Sequence, residues 1–305
     1  MSMIFTLGRQ LIIMFLYMGI GWLLFKKKLI TVEGSKSLAN LLLYCILPCV
    51  ILRSFTIGRT PEKITAFLMS FGLALLLLLL SMFIAFIVYR KSPIDNIGSA
   101  FSNAGFMGIP LVTSLLGNDA VFYAAGFVAL LNALQWTYGQ WIMSGDRKMV
   151  SFQAILKNPI ILSLLIGIAV FLGNITIPEI LASAMNSISA LNAPIAMIIL
   201  GVYLAQTDIF KIVTSPRLYK CTFVRLLLIP AFTILCLVPF CKGNADIITT
   251  LILIASAPIG SNVAVYAQKL GLDYTYAVQI ICLSTIFSIF SMPLVIGAAM
   301  AVFSY

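Results

Sequence analysis

The sequence predicts an all-α integral membrane protein with ten transmembrane helices, arranged as two inverted five-helix repeats. Of the 305 residues, 62% are hydrophobic and only 9% are charged, a balance that a soluble core of this length cannot bury. The charged residues divide the chain into apolar segments of membrane-spanning length. Two of these segments, in corresponding places of the two halves, are interrupted by glycine and proline.

The apolar segments are each close to the roughly 20 residues that a helix needs to cross a bilayer. Their approximate bounds are 4–25, 37–57, 64–89, 96–117, 120–143, 158–175, 180–206, 218–240, 247–270 and 274–303. The first segment runs into three lysines, Lys26 to Lys28, and shows no small-residue cleavage site. It is therefore expected to be a retained helix rather than a signal peptide.

The fourth segment contains the first interruption, between Ser102 and Gly117. Gly105 and Gly108 weaken a helix, and Pro110 removes a backbone donor and clashes with the preceding turn. Asn103 adds an amide at a depth where polar groups are costly. The ninth segment contains the second interruption, Ala257-Pro-Ile-Gly-Ser-Asn262. In lipid such breaks persist only where protein or a water-filled cavity satisfies the backbone groups that they release.

Short matches between the two halves indicate an internal repeat. Leu116-Gly-Asn-Asp119, which closes the fourth segment, resembles Leu270-Gly-Leu-Asp273, which closes the ninth; Pro61 and Pro216 precede the third and eighth segments. We assign residues 1–145 to the first repeat and 146–305 to the second. Because each repeat has an odd number of spans, the two repeats have opposite orientations in the membrane.

The net charge of +10 is better explained by membrane topology than by nucleic-acid binding, because the basic residues sit in short groups between apolar segments. With both termini outside the cell, most of the 19 basic residues fall in inside loops, as the positive-inside rule requires. These inside residues are Lys26, Lys27, Lys28, Lys36, Arg90, Lys91, Arg147, Lys148, Lys157, Lys211, Arg217, Lys220, Arg225 and Lys269. A multi-pass plasma-membrane protein with both termini outside is the resulting prediction.

The chain lacks the residues that most intramembrane chemistry requires. There is no histidine, and the six cysteines lie mostly in apolar runs without the paired spacing of a metal site. The spans carry no paired acids, so no catalytic residues and no metal ligands are assigned, and an enzyme is disfavoured. No cofactor is expected; Na⁺ or H⁺ as a coupling ion stays open.

The residues around both breaks resemble those of the auxin efflux carrier family. The resemblance rests on Asn103-Ala-Gly-Phe-Met-Gly-Ile-Pro-Leu111 in the fourth helix, on Ala257 to Ala267 followed by Gly271 in the ninth, and on Asn192 to Ala205 in the seventh. The short chain, without a long central loop, is similar to the prokaryotic branch, whose members are associated with dicarboxylates such as malate and malonate.

The resemblance implies the fold of the bile acid sodium symporters. Helices 3–5 and 8–10 would form a mobile transport domain, and helices 1, 2, 6 and 7 a scaffold that also mediates a homodimer. Glycines in helix 1, Gly19 and Gly21, would permit close helix approach. Helices 4 and 9 would cross at the substrate site, and transport of a small organic anion would follow an elevator mechanism.

The candidate binding residues lie at or beside the two breaks. Helix ends near the membrane midplane present N–H groups with partial positive charge, which suits a carboxylate. Asn103 and Asn262 are expected to contact the ligand, although membrane asparagines also bond neighbouring helices. Residues expected to shape the breaks and lend backbone groups are Gly105, Gly108, Pro110, Pro258, Gly260 and Ser261.

Further polar residues are candidates for either the binding site or helix packing. Asn132, Gln135, Gln279 and Ser284 follow the breaks and serve either the site or helix packing, and Asn40 and Tyr44 share a face of helix 2 that could line the pathway. Asp119 and Asp273 are expected to cap the next helix rather than couple an ion. A sodium-coupled symporter of the bile acid type, or a channel or receptor on the same fold, remains the alternative.

Overall fold

The computed structural model describes residues 3–146, 148, 152–207 and 214–303, and its regular elements there are helices. In chain order they are α1 (Met3–Lys26), α2 (Val32–Ser54), α3 (Pro61–Val88), α4 (Pro93–Ala100), α5 (Ala104–Leu116), α6 (Asn118–Ser144), α7 (Phe152–Leu156), α8 (Pro159–Leu172), α9 (Glu179–Ala205), α10 (Pro216–Phe240), α11 (Ala245–Ala255), α12 (Asn262–Lys269) and α13 (Tyr274–Phe303).

Seven of the described helices are long and apolar enough to cross a membrane, namely α1, α2, α3, α6, α9, α10 and α13. Three others, α5, α8 and α11, are apolar but shorter. At 1.5 Å per residue, the 14 residues of α8 extend only about 21 Å, less than the ~30 Å hydrocarbon core. The all-helical membrane class is confirmed, whereas the count of ten spans stays a prediction.

Large apolar side chains cover the outer surface of several long helices. Leu16 on α1 is 64% exposed and Phe290 on α13 is 73% exposed. Comparable side chains project from α3, where Leu68 and Phe83 are exposed. Water would penalise so extensive an apolar surface, whereas lipid tails solvate it. The outer faces of these helices therefore fit a bilayer.

Two glycines allow α1 and α9 to touch along their backbones. A Cβ atom on Gly21 would lie 2.2 Å from the carbonyl oxygen of Ile198, and one on Gly201 would lie 2.0 Å from that of Met18. Gly21 therefore packs against α9 of the same chain. It is not available for the homodimer contact that the sequence suggested. A Cβ atom on Gly19 would have no heavy atom within 4 Å, and this glycine faces outward.

Three prolines inside long helices are each preceded by a π-helical turn. The ring of an internal proline clashes with the carbonyl four residues earlier, and a turn widened by one residue relieves that clash. The pairs are Leu42–Ile46 with Pro48, Ala104–Gly108 with Pro110, and Val224–Leu228 with Pro230. Helix α5 therefore passes its glycines and proline as a widened π turn, and the chain leaves helical geometry at Phe101 to Asn103, at the start of the predicted interruption.

The two aspartates at corresponding segment ends behave differently. Asp273 accepts a hydrogen bond from the backbone N–H of Tyr276 at 2.8 Å, which confirms it as a cap of α13. Asp119 lies in a short 3₁₀ turn after Gly117, and neither this turn nor the helix that follows from Val121 has a side-chain cap bond. The capping role predicted for Asp119 is wrong.

Packing places α1 against α9, and α2 against α8 and α9. A second set of contacts joins α3 to α4 and α6, and α13 to α10 and α12. The breaks lie between α4 and α5 and between α11 and α12, and α5 contacts both α1 and α11. The division of the chain at residue 145 into repeats, and of the helices into a scaffold and a transport domain, stays a prediction.

Candidate functional site

The two interruptions pair with each other as extended backbone. Between α4 and α5, the N–H of Asn103 donates to the carbonyl of Pro258 at 2.7 Å, and the N–H of Gly260 donates to the carbonyl of Phe101 at 3.1 Å. Together they form an antiparallel bridge between Ser102 and Ile259. Each break thus satisfies backbone groups that the other has released. The second interruption lies where the sequence placed it, and the first lies just before Gly105.

Close backbone approach explains the glycine at the second break. A Cβ atom on Gly260 would lie 3.1 Å from the carbonyl oxygen of Ser102, closer than ordinary van der Waals contact. On the other side, the Ser284 hydroxyl of α13 accepts a hydrogen bond from the N–H of Ile259 at 3.1 Å. Gly260 and Ser284 together hold the second break against the first.

A small cavity of about 30 Å³, lined by both polar and apolar side chains, lies at the paired breaks. The candidate residues that the structure brings together around it are Asn103, Gly105, Asn132, Gln135, Gly260, Ser261 and Asn262. Its apolar wall includes Leu43 and Leu47 of α2 and Ile160 of α8. A space of this volume accommodates about one water molecule or one small polar group.

Asn103 keeps a buried side-chain donor unused in the described part of the chain, and the Ser102 hydroxyl next to it also has no partner there. The Asn103 side chain is 4% exposed and its Nδ2 has no hydrogen-bond partner there. By contrast, Asn262 Nδ2 donates to Gln135 Oε1 at 2.7 Å, and Asn132 Nδ2 donates to the carbonyl of Val128 at 2.8 Å. Because an unpaired buried amide is costly, Asn103 is the residue best prepared to bind a ligand.

Four of the candidate residues lie away from this cavity. A Cβ atom on Gly108 would meet Ile254 of α11 at 3.3 Å, so this glycine serves helix packing. Pro258 contributes its carbonyl to the N–H of Asn103, and Pro110 lines a second, larger cavity. Gln279 is buried in α13 and lines neither space.

The larger cavity, of about 470 Å³, opens at the end of the molecule where α1 begins and α2 ends. Its wall includes Arg53 of α2, Asp119 and part of α5. Asn192 of α9 also lines it and donates from Nδ2 to the carbonyl of Gly105 at 3.2 Å. Asn192, which the sequence analysis did not select as a site residue, therefore links the wall of the larger cavity to that of the smaller one.

Arg225 was also missed, because its position near other basic residues suggested an inside loop. The structure instead buries it within α10, where it is 1% exposed. Its guanidinium donates to the carbonyls of Ala257 and Ser99, at 3.0 Å each, and also to Ala100 and Ala255. The signal available in the sequence was an arginine inside an otherwise apolar run.

A second buried charge lies at the start of α4. Asp95 is 1% exposed and accepts hydrogen bonds from Arg217 Nη2 at 2.6 Å and Nε at 3.0 Å. The hydroxyl of Tyr276 donates to its other oxygen, and the Arg217 guanidinium lies 4.3 Å from the centre of that tyrosine ring. These three residues, the Asp95 cluster, join α4, α10 and α13. Sequence reasoning overlooked Asp95 because it precedes the fourth apolar segment.

The residues of α2 that line the smaller cavity are not the two that the sequence suggested. Asn40 is exposed and Tyr44 is 66% exposed, and neither lines one of the two cavities. Leu43 and Leu47, from the adjacent face of the same helix, line the smaller cavity. The pathway-lining role predicted for Asn40 and Tyr44 is therefore not supported by their positions.

A helical membrane chain in which two interruptions meet beside a small cavity lined by amides has the architecture of a membrane transporter. The model of the membrane transport protein family matches residues 7–154 and again residues 147–296, so the chain belongs to this family, the auxin efflux carriers. The double match covers both halves, in agreement with an internal repeat. No curated protein matches the chain significantly.

Proposed function

We propose that this protein is a secondary transporter that moves a small organic anion, a carboxylate or dicarboxylate such as malate or malonate, by elevator-type alternating access. The observation that carries the proposal is the buried and unpaired Asn103 amide at the junction of the two breaks. A carboxylate oxygen would accept the hydrogen bond that this amide lacks in the described structure.

Helix ends give the cavity its positive potential. Helices α5 and α12 begin at Ala104 and Asn262, both in the cavity wall. The first N–H groups of a helix have no intrahelical acceptor, and the N-terminus carries about half a positive charge. The described residues around this cavity include no lysine or arginine. Attraction of an anion would therefore come from backbone groups and amides.

The volume of the cavity supports a moving wall. At about 30 Å³ it is too small for a dicarboxylate, because a single water already takes up about 30 Å³ of liquid. Leu43, Leu47 and Ile160, which line it, belong to α2 and α8, two helices of the proposed scaffold. Displacement of the break-bearing helices along α2 and α8 would open the site and is the motion we propose.

The larger cavity suits the approach of substrate to this site. Its 470 Å³ lies in the usual range for small-molecule pockets. Arg53 provides a positive side chain on its wall, and Asn192 reaches from this space to Gly105 beside the smaller cavity. We place this cavity on the outside of a prokaryotic plasma membrane, with both chain termini outside and a homodimer formed through the scaffold.

Two alternative functions predict different transport behaviour. A sodium-coupled symporter of the bile acid type would require Na⁺ for uptake, and a channel or receptor would bind or pass the anion without exchange. Both would keep the paired breaks. The unpaired amide and the small volume of the cavity favour a carrier. Such a protein binds its substrate and then changes the positions of the helices around the site.

A binding screen on the purified protein tests the substrate class. We expect malate, malonate or another short carboxylate to raise the thermal unfolding midpoint, because a ligand at a hundred times its Kd stabilises the folded state by about 2.7 kcal/mol. Malonamide, which matches malonate in shape but carries no charge, is the control and should have no effect. Stabilisation by the diamide and the diacid alike would contradict an anion site.

A further inference from the structure

Both half-helices that precede the breaks end at the same buried side chain. Helix α4 ends at Ala100 and α11 ends at Ala255. The last carbonyls of a helix have no intrahelical donor, and the C-terminus carries about half a negative charge. Two such ends in a dry interior repel each other unless a cation lies between them.

Arg225 is that cation. Its Nη1 donates to Ser99 and Ala100 of the first half-helix, and its Nη2 donates to Ala255 of the second. Its Nε donates to Ala257, within the second break itself, at 3.0 Å. The only salt bridge in the described residues joins Arg217 to Asp95, so the charge of Arg225 is balanced by carbonyl dipoles rather than by a carboxylate.

Carriers with interrupted helices commonly place a diffusible cation at half-helix C-termini and unwound carbonyls. We propose that Arg225 is a positioning residue that occupies such a carbonyl site as a tethered cation, and that loss of its side chain opens the site to a small free cation such as guanidinium. By holding the carbonyl ends of α4 and α11, Arg225 keeps the amino ends of α5 and α12 opposed across the smaller cavity.

The effect of Arg225 on anion binding rests on the proposed carrier site. Occupation of the carbonyl site by a cation rests only on the four backbone acceptors around the guanidinium. Stability and anion binding therefore need to be measured separately.

Chemical rescue tests the carbonyl site directly. In the full-length purified protein, Arg225→Ala should lower the thermal unfolding midpoint, and low millimolar guanidinium chloride should restore part of the loss. Tetramethylammonium chloride at the same concentration controls for ionic strength and is too large to fit. Lys220→Ala removes an exposed positive charge from the same helix and should show no rescue. Equal responses of Arg225→Ala, Lys220→Ala and the parent to guanidinium would overturn the proposal.

Two further variants keep the test informative if Arg225→Ala does not fold. Arg225→Met keeps most of the volume without the charge, whereas Arg225→Lys keeps the charge. We expect the lysine variant to be the more stable and to bind carboxylates at least about tenfold more tightly than the methionine variant. Equal stability of the two variants would show that Arg225 acts through its volume and would overturn the tethered-cation role. If no carboxylate binds the parent, the proposed function fails while the rescue result still stands.

Discussion

Replacement of Asn103 by alanine is expected to weaken binding of every carboxylate that the protein recognises, by roughly tenfold to more than a hundredfold. The range corresponds to loss of one hydrogen bond to a charged group, worth about 1.5 to 3 kcal/mol. The protein without ligand should not be destabilised in proportion, because the Nδ2 of Asn103 has no partner to lose in the described structure. Titration of parent and variant with the same carboxylate measures the change.

Asn132→Ala provides the matched control for Asn103→Ala. Both amides line the same cavity, but Asn132 already donates to Val128 on its own helix. The Asn132 variant should therefore bind carboxylates within a fewfold of the parent. The site assignment is wrong if Asn103→Ala binds them as tightly as the parent, or if the two variants lose the same affinity.

The second large effect is expected from Arg217→Leu, which would leave the carboxylate of Asp95 buried without its ionic partner. Asp95 is 1% exposed, and among the described residues its side-chain oxygens would retain only the Tyr276 hydroxyl. Removal of one partner from a buried pair is strongly destabilising. Because Arg217 is itself 57% exposed, solvent screens part of the interaction. We expect a loss of about 1.5 to 3 kcal/mol in the free energy of unfolding.

A double-mutant comparison identifies the cause of that loss. Addition of Asp95→Asn to Arg217→Leu replaces the unpaired charge with a neutral amide, so the double variant should be more stable than Arg217→Leu alone. Lys220→Leu, one turn further along α10, removes an exposed charge and should change stability by less than about 0.5 kcal/mol. A double variant less stable than Arg217→Leu would show that the buried charge is not the source of the effect.

Sequence reasoning located the two breaks because glycine, proline and asparagine are unusual in apolar segments. The first break lies at the start of the predicted interruption Ser102–Gly117 rather than at its glycines and proline. Pro110 is accommodated by the π turn Ala104–Gly108, and the chain leaves the helix earlier, at Phe101. The reason lies in the other half of the chain, since the extended residues pair with Pro258 and Gly260. Local propensity contains no information about such a long-range pairing.

The roles of the charged residues were the least predictable from the sequence. The positive-inside rule treats an arginine near a segment end as a loop residue, and it therefore misplaced Arg225. What buries this side chain is a set of carbonyls that come together only when α4, α10 and α11 pack. In contrast, Gln135 and Asn262, chosen for their depth and for their proximity to a break, do meet in the structure.

Substrate counterflow in proteoliposomes tests the central claim, that this protein is a carrier, most directly. Vesicles loaded with an unlabelled carboxylate from the binding screen are diluted into a trace of the same compound in labelled form. A carrier that reorients with substrate bound should accumulate label transiently above the external concentration, without Na⁺ on either side, and Asn103→Ala should reduce this peak at low substrate. A label that only equilibrates would indicate a channel and would contradict the account, whereas accumulation that requires Na⁺ would favour the sodium-coupled symporter.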